Sequence, residues 1–125
     1  MPNTTVRAAA EGMPKVPRAP HPADDLSFMS KRPREIGGID YWQVETTGSY
    51  GADCDKGHAL GREYLDYIGS HPTNGNATLL GCIVGDMVAL RAGKLTGIEI
   101  GFLRQVNELA MLVSSWVKTQ KGGAQ

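Results

Sequence analysis

The sequence predicts an all-α fold: a three-helix bundle with an extended, proline-rich N-terminal arm, packed into a homo-oligomer. Three segments after residue 51 carry apolar residues at helical spacing, and each also contains two glycines four residues apart. Six of the seven prolines lie within residues 1–36, where they oppose helix formation. A chain of 125 residues has the length of one domain. We expect an arm of residues 1–36, a helical domain of 37–121 and a frayed tail of 122–125.

The arm is predicted to be poorly ordered by itself. Its tract MPKVPRAPHP favours an extended, polyproline-like backbone, because each proline fixes φ and lacks an amide donor. The segment has few apolar residues to bury, so we expect it to grip a partner protein or a neighbouring subunit.

Residues 37–51 are predicted to form a short strand or an extended lead-in to the helices. Ile39, Tyr41 and Val44 suit an extended backbone, and Trp42 is expected to dock on the helical core. A small hairpin is the less favoured alternative.

The first helix is predicted over Ala52–Ile68. Gly69 and Pro72 mark its end, and Ser49 or Asp53 can cap its start. One face collects residues at alternating spacings of three and four: Cys54, Gly57, Gly61, Tyr64 and Ile68.

The second helix is predicted over Ala77–Ala92, with Gly93 as its C-terminal cap. Its middle turns are apolar on nearly every side, which is typical of a buried helix. The sequence therefore places this helix at the centre of the bundle.

The third helix is predicted to begin at the capping box formed by Thr96 and Glu99. Its apolar stripe comprises Leu95, Ile98, Phe102, Val106, Leu109, Val113 and Trp116. Further apolar residues widen this face beyond what three helices can cover, so the helix is expected to form an oligomer interface as well as core.

The paired glycines are Gly57 and Gly61, Gly81 and Gly85, and Gly97 and Gly101. Each glycine inside a helix costs roughly 0.5–1 kcal/mol relative to alanine, so close backbone approach is the expected compensation. The first pair is predicted to face the second helix, and the second pair to meet either other helix or a second copy. The third pair is predicted to contact another subunit. Coincidence among 16 glycines is the alternative.

Cys54 and His58 are four residues apart on one helical face and could begin a zinc site. No further ligands accompany them at suitable spacing, and no group is in place to orient them as nucleophile and base. A small thiol beside a histidine is the simpler reading. We predict no metal site, no cofactor and no catalytic residue.

Asp86 is the one charge in the middle of the second helix. A buried carboxylate must be paired or protonated, so an ion pair with Arg62, Arg91 or Arg104 is expected. A role in binding a ligand or handling a proton, and simple exposure to water, are the alternatives.

The aromatic residues near the acidic middle of the chain could form core or line a small pocket: Tyr41, Trp42, Tyr50, Tyr64 and Tyr67. The rival functional hypothesis uses such a pocket. It describes a small-molecule-binding protein or small enzyme with a site near Tyr50, Cys54, His58 and Asp86.

Charge and motifs exclude several classes of function. Thirteen basic and thirteen acidic residues give a net charge of zero, which argues against a nucleic-acid binder. No apolar run is long enough for a membrane span, and no phosphate-binding loop or hydrolase motif is present. Two isolated cysteines suit a reducing cytoplasm. The predicted function is therefore that of a non-enzymatic, oligomeric interaction or assembly component.

Overall fold

The computed structural model describes residues 20–123 and is mostly helical, as predicted. The elements in chain order are α1 (Pro22–Asp25), β1 (Ser30–Lys31), β2 (Ile39–Asp40), α2 (Tyr50–Ser70), a 3-10 turn (Asn74–Asn76), α3 (Leu79–Leu90) and α4 (Gly97–Gly123). The three long helices correspond to the three predicted ones. The expected tail of 122–125 is helical through Gly123, and residues 124–125 lie outside the described part.

The two strands form a small antiparallel hairpin in which Ser30 pairs with Asp40 and Lys31 pairs with Ile39. Gly37 and Gly38 close it with φ angles of 74° and 90°, in the left-handed region that glycine adopts without a steric penalty. A hairpin, which the sequence analysis did not favour, is therefore present. It was not predicted because its first strand lies among residues that were assigned to the arm.

Residues 20–36 belong to the folded unit, so the predicted arm boundary at residue 36 is wrong. Leu26, Phe28 and Met29 are almost fully buried in the core. Tyr67 also donates a hydrogen bond from Oη to the carbonyl of Pro20, at 2.6 Å. A few well-spaced apolar side chains anchor this segment despite its prolines. Residues 1–19 of the predicted arm lie outside the described residues.

Four aromatic side chains form the centre of the core: Phe28, Trp42, Tyr64 and Phe102. Phe102 lies 5.5 Å from Phe28 and 5.1 Å from Trp42 between ring centroids, both in edge-to-face geometry. Aromatic rings prefer this arrangement because the positive edge of one ring meets the negative face of the other. Trp42 thus docks on the helices as predicted.

The close helix contact joins α2 to α4, and the two helices run in the same direction. A Cβ atom added to Gly57 would overlap the carbonyl of Ile98, and one added to Gly101 would overlap the carbonyl of Cys54. Added Cβ atoms at Gly61 and Gly97 would also meet the opposite helix. The predictions that the first pair faces the second helix and that the third pair contacts another subunit are therefore wrong. Sequence spacing defined each face but did not identify its neighbour.

Helix α3 does not lie at the centre, contrary to the sequence prediction. It buries one stripe, Leu79, Ile83 and Met87, against the core. Its opposite face is exposed and includes Gly81 and Gly85, where an added Cβ would meet nothing within 4 Å among the described residues. The α2–α4 pair takes the central place because its glycines allow a closer contact than α3 makes.

Within residues 20–123, no helix combines the length and apolar character needed to cross a bilayer.

Candidate interaction surface

One face of α4 is buried in its first turns and exposed in its later ones. Ile98 and Phe102 are 0 % exposed, whereas Leu109 is 42 %, Val113 51 % and Trp116 62 % exposed. These five residues share one side of the helix, since their spacing follows its turns of about 3.6 residues. Among residues 20–123, the core-facing stripe therefore continues for several turns beyond the residues that cover it.

The exposed continuation is called the α4 stripe below. It begins at Val106, which is half-buried against the core, and continues with the exposed Leu109, Leu112, Val113, Trp116 and Val117. At about 100° per residue these positions lie within one apolar sector, and Asn107, Ser114 and Lys118 lie on the opposite side. Met111 is 63 % exposed but lies on that polar side.

Charged groups flank the stripe unequally along its length. Glu108 lies near its beginning, where Arg104 Nε is 3.6 Å and His58 Nε2 is 3.9 Å from Glu108 Oε1. Lys118 and Lys121 lie near its end. Glu108 is therefore accompanied by basic groups near the beginning of the stripe, whereas Lys118 lies on the opposite side of the helix.

The sequence analysis identified Glu99 only as part of the capping box at the start of α4. It did not predict that the carboxylate is buried. Its carboxylate is 0 % exposed and accepts hydrogen bonds from Trp42 Nε1, Arg91 Nε and both the amide and hydroxyl of Thr96. Burial alone raises the pKa of Glu99, but these donors outweigh it and hold the pKa below its usual value. Since its partners are all supplied by the protein, we assign Glu99 a structural role.

Asp53 is a second buried carboxylate. It accepts hydrogen bonds from the amide and hydroxyl of Thr47, at 2.8 and 2.7 Å. The backbone bond, followed by the side-chain bond, lowers the pKa of Asp53. Both bonds go to Oδ1, and this pairing fixes the segment that leads into α2.

The predicted arginine partner of Asp86 is wrong. Asp86 Oδ2 accepts a hydrogen bond from the amide of Tyr41 at 2.8 Å. Among residues 20–123, no basic side chain lies within ion-pairing distance of Asp86. Arg91 pairs instead with Glu99, at 3.0 Å.

The four residues of the rival polar site do not share one cleft. Asp86 lines a cleft with Arg32, Asp40 and Trp42, to which Tyr50, Cys54 and His58 do not contribute. Cys54 lies at the α2–α4 contact, beside Gly97 and Gly101.

Tyr50 is 65 % exposed, and a hydrogen bond with the Cys54 side chain raises the pKa of Tyr50. In the described part of the chain, no three His, Cys, Asp or Glu side chains are grouped as metal ligands.

Of the predicted aromatic cluster, Trp42, Tyr64 and Tyr67 are buried and Tyr41 is half-buried. Tyr41 and Tyr67 do line a cleft of about 330 Å³, together with Pro20, His21 and Pro22. Tyr67 already uses its hydroxyl to bind the carbonyl of Pro20. The cleft therefore lies at the seam between the N-terminal segment and α3.

Comparison with known proteins gave no match to a family model, to a curated protein sequence or to a solved structure.

Proposed function

We propose that this protein is a non-enzymatic helical assembly component that associates with copies of itself through the α4 stripe. The observation that carries the proposal is the exposure gradient along one face, from Phe102 at 0 % to Trp116 at 62 %. A helical segment without tertiary contacts is marginal in water, so the outer half of α4 gains its stability from a partner that covers the stripe.

The polar groups support an assembly role better than an enzymatic one. Both carboxylate oxygens of the buried Glu99 accept hydrogen bonds from the protein itself, and Oδ1 of the buried Asp53 accepts two from Thr47. Asp86 binds the amide of Tyr41 and lines a cleft to which Cys54 and His58 do not contribute. The exposed α4 stripe, in contrast, has no role in stabilising the described residues of the single chain.

The role proposed for the arm is restricted to residues 1–19, since residues 20–36 are used within the fold. The proline content of residues 1–19 supports an extended contact with another protein. The exposed Gly81 and Gly85 of α3 contribute to assembly only if a second copy reaches that face.

Light scattering coupled to size-exclusion chromatography tests the proposal with two matched substitutions. Val113→Asp places a charge within the stripe, and Met111→Asp makes the same kind of change on the polar side of the same helix turn. We expect wild type and Met111→Asp to form oligomers at micromolar concentration and Val113→Asp to be monomeric. A monomeric wild-type protein would overturn the proposal, and so would equal dissociation by both substitutions.

A further inference from the structure

We propose that residues 14–19 bind, within the same chain, in the cleft between the N-terminal segment and α3. The described residues begin at Pro20, and Pro20 itself lines this cleft, so residues 14–19 join the fold at the edge of the cleft. The inference goes beyond the proposed function, because it does not depend on self-association through the α4 stripe. Residues 1–13 remain for the extended contact with another protein.

The cleft offers ring surfaces and uncharged polar groups. It has a volume of about 330 Å³ and is lined by two aromatic residues, Tyr41 and the buried Tyr67, and by the ring of Pro20. Its polar lining includes the uncharged side chains of Thr73, Asn76 and Thr78. None of its described lining residues is an aspartate, glutamate, lysine or arginine. Proline-rich segments bind to aromatic-lined surfaces, and they lose little conformational entropy because their backbone is extended before binding.

The spacing of the prolines matches this kind of binding. Pro14, Pro17 and Pro20 are three residues apart. A polyproline helix has three residues per turn, so a backbone of this type places the three rings along one edge. Pro20, the last of the three, already lines the cleft, and its carbonyl accepts a hydrogen bond from Tyr67 Oη at 2.6 Å. Pro17 and Pro14 therefore supply two further rings of the kind that the cleft already holds.

The covalent link to Pro20 favours this segment over one from another molecule. Six residues of polyproline helix, the length of 14–19, extend about 19 Å at 3.1 Å per residue. Helix α3 has 12 residues, or about 18 Å at 1.5 Å per residue, so the segment is long enough to cross the cleft beside it. A short linker gives a tethered segment an effective concentration in the millimolar range. An affinity too weak to hold a separate peptide therefore still fills the cleft.

Charge also favours this occupant. Residues 14–19 carry two basic side chains, Lys15 and Arg18, and no acidic one. Asp86 lies beside the cleft, since its Oδ2 accepts a hydrogen bond from the amide of Tyr41, whose side chain lines the cleft. Among the described residues, no basic side chain lies within ion-pairing distance of Asp86. The segment thus brings positive charge towards a carboxylate that has no basic partner in that part of the chain.

The rate at which iodoacetamide alkylates Cys82 tests the inference, because this thiol is exposed and lines the cleft. The full chain carries Cys54→Ala, which leaves Cys82 as its single cysteine. A cleft filled for about four-fifths of the time reacts about five times more slowly than an empty one, so replacing Pro14 and Pro17 together with serine should raise the rate about fivefold. Pro2→Ser is the matched control. It removes a proline of the same arm outside 14–19 and should leave the rate unchanged.

Equal rates in the double variant and its parent chain would overturn the inference. A rate that rises when the parent chain is diluted would also overturn it, because the shielding segment would then belong to a second copy. The chain that begins at Pro20 gives a second measurement. A synthetic peptide of residues 1–19, added at millimolar concentration, should slow its alkylation, and no slowing would contradict the proposed site.

These measurements separate the inference from the proposed function. Alkylation of Cys82 reports on the cleft beside α3, whereas light scattering reports on the α4 stripe. A monomeric wild-type chain would refute the assembly proposal and leave this inference standing. Equal alkylation rates would refute the inference and leave the assembly proposal standing.

Discussion

Arg91 Nε lies 3.0 Å from Glu99 Oε2, and this ion pair joins the end of α3 to the first turn of α4. The same arginine donates from its guanidinium to the carbonyl of Val44, at 2.6 Å. Arg91 and Glu99 therefore connect the lead-in segment, α3 and α4 at one buried point. Since Glu99 is fully buried, its charge is retained only because these donors are in place.

Replacing Glu99 with glutamine should destabilise the fold by about 3 kcal/mol, because it leaves the guanidinium of Arg91 in the interior without a counter-charge. Urea unfolding followed by circular dichroism measures the change. Glu35→Gln is the matched control, since Glu35 is exposed in the hairpin turn. A Glu99→Gln variant as stable as this control would contradict the structural role assigned to Glu99.

Stability should fall in acid because the pKa of Glu99 and that of Asp53 are lower in the folded protein than in the unfolded chain. Below the unfolded values, near pH 4, the unfolded chain binds more protons, so protonation favours unfolding. The contribution is complete above those values and is lost as pH falls through the folded ones. Urea midpoints measured between pH 7 and pH 3 should show this loss, with a shallower decline in Glu99→Gln.

Alanine substitutions should distinguish buried glycines from exposed ones. Gly57→Ala should destabilise the fold by about 3 kcal/mol or more, since the new methyl group would overlap backbone atoms of α4. Gly85→Ala should stabilise it by roughly 0.5–1 kcal/mol, because an added Cβ meets nothing there and alanine favours helix. Thermal unfolding of both variants measures the difference. If light scattering shows that the wild-type chain self-associates, loss of that association in Gly85→Ala would show instead that α3 contacts another copy.

A chain that ends after Glu108 should fold and remain monomeric. It keeps the α2–α4 contact, which reaches Gln105, and it removes most of the α4 stripe. We expect the melting temperature of the full chain to rise with protein concentration and that of the shortened chain to stay constant. A concentration-dependent melting temperature in the shortened chain would place the assembly surface elsewhere.

The two tryptophans should report separately on folding and assembly. Trp42 is 2 % exposed, whereas Trp116 is 62 % exposed in the single chain. In Trp42→Phe, the fluorescence of Trp116 should shift to shorter wavelength as concentration rises, because association covers the indole. In Trp116→Phe, the fluorescence of Trp42 should not depend on concentration. A constant Trp116 spectrum in a chain that light scattering shows to be oligomeric would exclude this residue from the interface.

Local signals in the sequence predicted local structure well. Thr96 and Glu99 located the start of α4, and the apolar periodicity located all three long helices. The arrangement of the helices was not predictable, because a glycine pair marks a surface for close approach without naming its neighbour. The burial of Phe28 was missed because composition averages over a segment, whereas a single aromatic ring can anchor it. The paired state of Glu99 depends on Trp42 and Arg91, which tertiary contacts alone bring to it.

The close backbone contacts at Gly57 and Gly101, where α2 meets α4, give α4 the mechanics of a lever. At these two glycines the atoms in contact are backbone atoms, which have no rotamers to adjust, so a group added there displaces the helix. Beyond Gln105 the helix extends for 18 residues, or about 27 Å at 1.5 Å per residue. A tilt of about 10° at the joint would displace the far end by roughly 5 Å over that length. Substitutions near Gly57 could therefore alter where Trp116 is presented, and thus which surface it meets, without touching that end of the molecule.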